Sequence, residues 1–251
     1  MKDFPPAPTI TRLRHELRRR NLTVKTVEAL TPAMIRITLT GEDLAGFLSA
    51  APDDHIKIFV PGPGDTPEMR DYTPRRFDAE RQELVVDFAV HDAGPATLWA
   101  LQAKPGDALA IGGPRGSQVI EGQIDRWLLI GDETALPAIG RRIEEAAPGT
   151  VIAALVAIPD SADRQVFDTA ADLTLCWVLR PAAAATDPAP LLDRLAETDI
   201  PPGTFVWIAA EARVARALRN HLLADRGHPP GWLKASGYWV AGEADQVVHF
   251  D

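Results

Sequence analysis

Apolar and polar residues alternate from Leu22 to Leu30 and again from Met34 to Thr40, with Thr31-Pro32 between the two runs. A side-chain period of two turns one face of each run to a core and the other to water, so the pattern predicts an antiparallel strand pair. His55–Pro61 predicts a third strand, and Pro61-Gly62-Pro63-Gly64-Asp65 breaks it. Further strands are expected from Arg70, over Glu83–His91 and over Ala108–Ile111, the last running into the turn Gly112-Gly113-Pro114-Arg115-Gly116. Six short strands with Gly/Pro turns, and one short helix over Ala96–Ala103, predict a small antiparallel six-stranded β-barrel.

Past residue 122 the period changes. Trp127–Ile130, Val151–Ile158, Leu173–Leu179 and Thr204–Ala209 are continuous apolar runs, the mark of strands buried on both faces. Helical patterns occupy Ala135–Ala147, Ala189–Thr198 and Ala212–Arg226. Strands alternating with helices predict an α/β domain with a parallel sheet. The expected chain is therefore two-domain: a basic N-terminal segment (1–20), a β-barrel (21–122) and an α/β nucleotide-binding domain (123–251).

Composition narrows the partners. The 251 residues are 46% hydrophobic and 24% charged, as in a globular protein. A net charge of −9 disfavours general nucleic-acid binding. Against it stands the basic run Arg12, Arg14, His15, Arg18, Arg19 and Arg20, a solvated face, an anion patch or a docking site for an acidic redox partner. The single cysteine, Cys176, lies in an apolar run, so no internal disulfide and no cysteine-based metal site is expected. Met1–Ile10 has no apolar signal-peptide core and no long apolar run occurs, so a cytoplasmic protein without a membrane segment is expected.

Three stretches carry candidate chemistry. Arg70-Asp71-Tyr72-Thr73 offers a cation, an aromatic ring and a small hydroxyl, with Arg70 and Tyr72 on one strand face and Thr73 on the other. Those groups suit the pyrophosphate, the ring and the N5 edge of a flavin dinucleotide. After His91, Gly94-Pro95 opens a helix whose first N–H groups, at Ala96 and Thr97, suit an anion. Gly131-Asp132-Glu133-Thr134-Ala135-Leu136-Pro137 leads from a buried strand into a helix, with Thr134 as the expected N-cap. The carboxyl end of such a strand is where α/β sheets bind nucleotides, although G-x-G-x-x-G is absent.

These pieces, with Gly237-Tyr238-Trp239, resemble in order and spacing the siderophore-interacting protein family, FAD-containing ferric-siderophore reductases of the ferredoxin–NADP reductase superfamily. The likeness runs from about Leu22 to Glu243. It implies that Arg70 binds the FAD pyrophosphate, that Tyr72 stacks on the isoalloxazine and that Thr73 hydrogen-bonds near N5. It places Asp71, His91, Ala96 and Thr97 around the cofactor, and Asp132, Thr134 and Ala135 where the adenine and the nicotinamide nucleotide meet. The family's basic pocket for the ferric complex falls on Lys57 and Arg126. Its third cation, usually an arginine after Gly-Tyr-Trp, is Val240 here, with Lys234 close in sequence. One fewer cation implies a less charged ferric chelate.

The implied reaction passes electrons from NADPH or NADH through FAD to Fe(III) in a siderophore, with no resident metal, in a monomer. Arg164, after the second α/β strand, and the uncharged Ala157 favour NADPH, whereas Asp160 and Asp163 favour NADH. Ferredoxin is an alternative donor suited to the basic run. Two other readings stay open: a general flavin reductase or electron-transfer protein, and a non-catalytic siderophore-binding module.

Overall fold

A computed structural model of the chain describes residues 4–62, 66–90, 94–243 and 245–250. The chain divides into two units, Thr11–Val119 on one side and Met1–Ile10 with Ile120–Asp251 on the other.

The elements before the α/β part are β1 (Thr9–Arg14), β2 (Arg19–Thr31), β3 (Met34–Thr40), β4 (Ile56–Val60), β5 (Glu68–Tyr72), β6 (Pro74–Asp78), β7 (Glu83–Ala89), the helix α1 (Pro95–Gln102), β8 (Ala108–Gly112) and β9 (Gly116–Glu121). Seven of these strands form one antiparallel sheet in the order β5-β4-β8-β2-β3-β7-β6, and β1 pairs with β9 in a separate ladder. The alternation in β2 and β3 sends Leu22, Val24, Ile37 and Leu39 into the core, with Val24 opposite Leu39 and Val27 opposite Ile37. Ile56, Ile58, Leu84, Val86, Phe88, Leu109 and Ile111 complete that core. Each such side chain contributes about 1.5–3 kcal/mol on burial. Register shifts at Val24/Thr26 and Ala29/Thr31 bend the long β2.

The sheet has seven strands where the sequence predicts six. The added strand β6 begins with a proline and carries two arginines, which reads as a turn. It is a strand because Arg75 is buried against Asp87 (Nε–Oδ2 3.6 Å), which also accepts two 2.7 Å hydrogen bonds from Arg36. Charge pairing replaces the apolar signal there. The N-terminal basic segment is likewise partly strand: every residue of β1 is exposed, so the ladder to β9 forms without a core-facing pattern.

The second unit contains β10 (Arg126–Gly131), α2 (Leu136–Glu144), β11 (Val151–Ile158), β12 (Asp172–Leu179), α3 (Ala189–Ala196), β13 (Thr204–Glu211), α4 (Ala212–Asn220), β14 (Leu233–Trp239) and β15 (Val248–His249). The sheet order is β12-β11-β10-β13-β14-β15, parallel except for β15. From β10 the chain moves to β11 and β12 on one side, then returns to β13 on the other. The carboxyl ends of β10 and β13 therefore flank the switch point of the sheet, where a crevice forms. Every residue of β13 is buried, which its apolar run requires. Among the described residues no helix is long and apolar enough to cross a membrane.

Candidate functional site

In the antiparallel unit, Thr11–Val119, β4 and β5 pair with Ile56 opposite Tyr72, Lys57 opposite Asp71 and Ile58 opposite Arg70. Opposed residues of an antiparallel pair project from the same face. Arg70 and Tyr72 thus share the face of the buried Ile56 and Ile58, and Lys57 and Asp71 share the other. The Tyr72 ring packs on Phe88 (centroids 4.4 Å apart), and Phe88 packs on Trp99 at 5.8 Å. Burial pushes the Tyr72 phenol pKa up, only partly offset by Arg70, so the ring stays neutral. Thr73 is buried in the one-residue step between β5 and β6.

The cations of this strand pair are held by neighbouring carboxylates. Arg70 donates to Glu68 Oε2 at 2.6 Å and to the Met69 carbonyl at 2.7 Å. Lys57 Nζ donates to Asp71 Oδ2 at 2.9 Å, while Asp71 Oδ1 is buried without a hydrogen-bond partner. α1 opens with Pro95 at its first position, and no side chain caps it. Its first helical bond runs from the Leu98 N–H to the Gly94 carbonyl, so the N–H groups of Ala96 and Thr97 precede the helical ladder. A guanidinium and an uncapped helix start are the donor types a pyrophosphate takes. His91 lies outside the described residues.

In the α/β unit, Asp132 ties the switch point together. Its Oδ1 accepts the Thr134 N–H (3.0 Å) and hydroxyl (2.5 Å); its Oδ2 accepts the Glu211 N–H (2.8 Å) and the Trp239 indole N–H (3.0 Å). One buried carboxylate thereby fixes the carboxyl ends of β10, β13 and β14. Thr134 is not the N-cap expected of it: α2 begins at Leu136 after Ala135, and the Thr134 hydroxyl turns back to Asp132. Ala135 is fully buried and donates its N–H to the Asp132 carbonyl. Glu211, unnoticed in the sequence, caps α4 by accepting the N–H groups of Arg213 (2.6 Å) and Val214 (3.2 Å), and accepts the Ala241 N–H at 3.4 Å. An acid directly before the amphipathic run from Ala212 was the available signal.

Beside Asp132, the buried Glu133 meets Arg180 from the end of β12 at 2.5 Å. Burial, then the neighbouring Asp132, raise the Glu133 pKa from 4.5 to about 7, against the pull of Arg180. The remaining predicted residues do not gather here. Arg126 starts β10, five residues before Gly131 and so about 16 Å from it at roughly 3.3 Å per residue. Lys234 lies near the start of β14, opposite Trp207, and Val240 follows that strand in a bridge to Glu243. Among the described residues no group of three or more His, Cys, Asp or Glu side chains is placed to hold a metal ion.

The chain resembles known proteins along nearly its whole length. The family model described as "Siderophore-interacting FAD-binding domain" matches residues 23–68 and 61–118, and that described as "Siderophore-interacting protein" matches 124–242. A protein of Escherichia coli (strain K12) named NADPH-dependent ferric-chelate reductase is 36% identical over 263 residues, covering 96% of this chain and 100% of that protein. The chain belongs to the siderophore-interacting protein family. A ferric vibriobactin reductase of Vibrio cholerae is 28% identical, over 86% of this chain and 87% of its own. The crystal structure of a siderophore utilization protein from T. fusca superposes with a TM-score of 0.88 at 36% identity, covering 95% of this chain and 98% of that one. The family's FAD-binding domain takes in β5 and the start of α1; the second family match takes in the Asp132 cluster.

Proposed function

We propose that this chain is a cytoplasmic FAD-dependent ferric-siderophore reductase that takes electrons from NAD(P)H and releases Fe(II) for intracellular iron supply. The observation that carries the reading is the shared face of Arg70 and Tyr72 on β5, in a unit that also holds the uncapped start of α1. FAD, when bound, supplies hydride acceptance from a nicotinamide and one-electron release to Fe(III). Arg70, now on Glu68, would hold the pyrophosphate, and the N–H groups of Ala96 and Thr97 would offer it further donors. Tyr72, backed by Phe88, offers a flat neutral ring, and Thr73 a hydroxyl at the flavin edge. Asp132 holds the nucleotide crevice in shape and keeps Thr134 and Ala135 in place.

Fe(III) is the substrate. Siderophores are hard oxygen donors that hold Fe(III) far better than Fe(II), so one electron loosens the complex and no protein acid or base is required. Lys57, Arg126 and Lys234 are the cations assigned to the chelate. NADPH is the favoured donor. Asp160 is turned into its own loop, accepting the Ala162 N–H at 2.8 Å, and Asp163 is buried, which leaves the exposed Arg164 for a 2′-phosphate.

The test is anaerobic. FAD-loaded protein is reduced with NADPH or with NADH, then mixed with ferric siderophores of differing charge, and reoxidation of the flavin is followed. Rapid reoxidation graded by chelate supports the reading; protein that retains no FAD, or whose reduced flavin ignores every ferric chelate, overturns it.

A further inference from the structure

The basic run along β1, the turn after it and the start of β2 has no role in the proposed reductase reading, and the Thr11–Val119 unit folds much of it around a cavity. Arg14, His15, Glu16, Arg18 and Arg20 line a space of about 280 Å³ together with Gly46 and Gly113. At about 30 Å³ of liquid volume per water, that is room for roughly nine waters or one small polyatomic ion.

Arg20 is the unusual member. It is 4% exposed, and its guanidinium forms no ion pair among the described residues. Its hydrogen bonds go to the carbonyls of Gly113 (3.0 Å), Arg18 (3.3 Å) and Gly46 (3.5 Å), and its Nε has no partner. Glu16 and Asp43 act on it only from beyond ion-pair distance. The guanidinium also lies over the Phe47 ring, 5.3 Å from its centroid; carbonyls and a ring face leave its charge without a counter-ion, which an anion would supply. Arg14 forms no ion pair among the described residues, and Arg18 meets Asp43 at 3.5 Å between half-exposed side chains, a pairing worth little.

The walls are braced. His15 Nε2 lies 2.7 Å from Ser117 Oγ, which donates to Asp54 Oδ2 at 2.6 Å and accepts the Ala50 N–H at 3.1 Å. With the serine hydrogen committed to Asp54, Nε2 is the donor to Ser117, and this His–Ser pair is not a nucleophile. The His15 N–H is bound to the Arg115 carbonyl and the Gly113 N–H to the Arg18 carbonyl. Three guanidiniums against the carboxylates of Glu16 and Asp43 leave a local excess of positive charge within a protein of net charge −9. Guanidinium forks match oxyanions in geometry as well as charge.

We propose that this pocket binds a small, multiply charged oxyanion of the phosphate or polycarboxylate type. The proposal is independent of the reductase reading. It is tested on FAD-saturated protein at constant ionic strength, titrated with pyrophosphate and separately with citrate, by following the amide NMR signals of Gly46 and Gly113. Saturable shifts at both glycines are expected with at least one of the two anions, and which of them binds tells phosphate from carboxylate chemistry. Replacing the exposed pair, Arg14→Ala with Arg18→Ala, should weaken binding at least tenfold, since removing one charge-assisted hydrogen bond costs about that factor. Amide signals of the Asp132 cluster report that the double variant is folded. Shifts that fail to saturate, that chloride reproduces at equal ionic strength, that appear only at Ala96 and Thr97, or that persist undiminished in the double variant overturn the assignment.

Discussion

At the residue scale, two of the cations assigned to anionic ligands, Arg70 and Lys57, are already paired with carboxylates of their own strand pair. Lys57 pairs with Asp71 at 2.9 Å, with its side chain about one-third exposed, so the pair is screened and exchangeable. Asp71→Asn removes that carboxylate from Lys57. Its KM for an anionic ferric chelate should fall roughly threefold, the scale of an exposed pair, with little change for a neutral one. Equal KM values in both proteins would separate Lys57 from the substrate. Glu133 has the opposite problem, a carboxyl whose burial raises its pKa to about 7 from 4.5. Below pH 4.5 it is protonated whether the chain is folded or not. Between 4.5 and 7 the folded chain holds the proton and the unfolded chain has lost it, so stability declines as pH rises and levels off above 7. The loss is on the order of 1–3 kcal/mol. Urea unfolding from pH 5 to pH 8 should show this slope in the native chain and not in Glu133→Gln.

At the element scale, the meeting of β10 with α2 depends on the missing side chain of Gly131. A Cβ there would stand 2.7 Å from the Ala135 Cβ and from the Ala209 carbonyl oxygen, and 3.0 Å from Ile139 Cδ1. Two of these neighbours are themselves fixed, so Gly131→Ala should cost about 1–3 kcal/mol and raise the KM for NADPH together with it. Chemical denaturation and steady-state rates check both, and native stability in the variant would show that the turn yields. This glycine was legible in the sequence because a buried apolar run stops at it. So were the strands β3, β7 and β11, whose side chains follow the period that burial imposes. β6 was not: its partner for Asp87 is an arginine, and ion pairing leaves no periodic trace. β14 was legible only as the Gly-Tyr-Trp motif, and the contact of Glu211 with Asp132 and the Glu133–Arg180 pair only after folding, because those partners are distant in sequence and close only at the sheet's carboxyl ends. The geometry of the candidate site was therefore readable where it is local to the backbone, at the start of α1 and the end of β10, and unreadable where side chains from separate strands converge.

At the scale of the whole molecule, the division of labour between the units is itself testable. The antiparallel unit has its own core, built on Ile37, Phe88 and Ile111, and the α/β unit another, built on Ile130, Val206 and Leu218. Arg70, Tyr72 and α1 belong to the first; the Asp132 cluster, Arg164 and α2 belong to the second. A ligand slows amide exchange most where it removes local opening, because it stabilises the closed form by mass action. Adding FAD to apoprotein should therefore protect peptides spanning residues 66–76 and 94–101. A non-reducible nicotinamide nucleotide added afterwards should protect residues 129–140 and 209–214 with little further effect on the first set. At a hundredfold excess over Kd the stabilisation available is about 2.7 kcal/mol, or roughly a hundredfold slower exchange where opening is local. Peptides over 19–31 and 34–40 form the centre of the antiparallel sheet and should respond weakly, being protected already by their core positions. If FAD instead protects the ends of β10 and β13 and leaves β5 and α1 unchanged, the assignment of the flavin to the antiparallel unit is wrong. If the nucleotide protects nothing in the α/β unit while FAD binds as expected, the flavin site stands and electrons enter from a different donor.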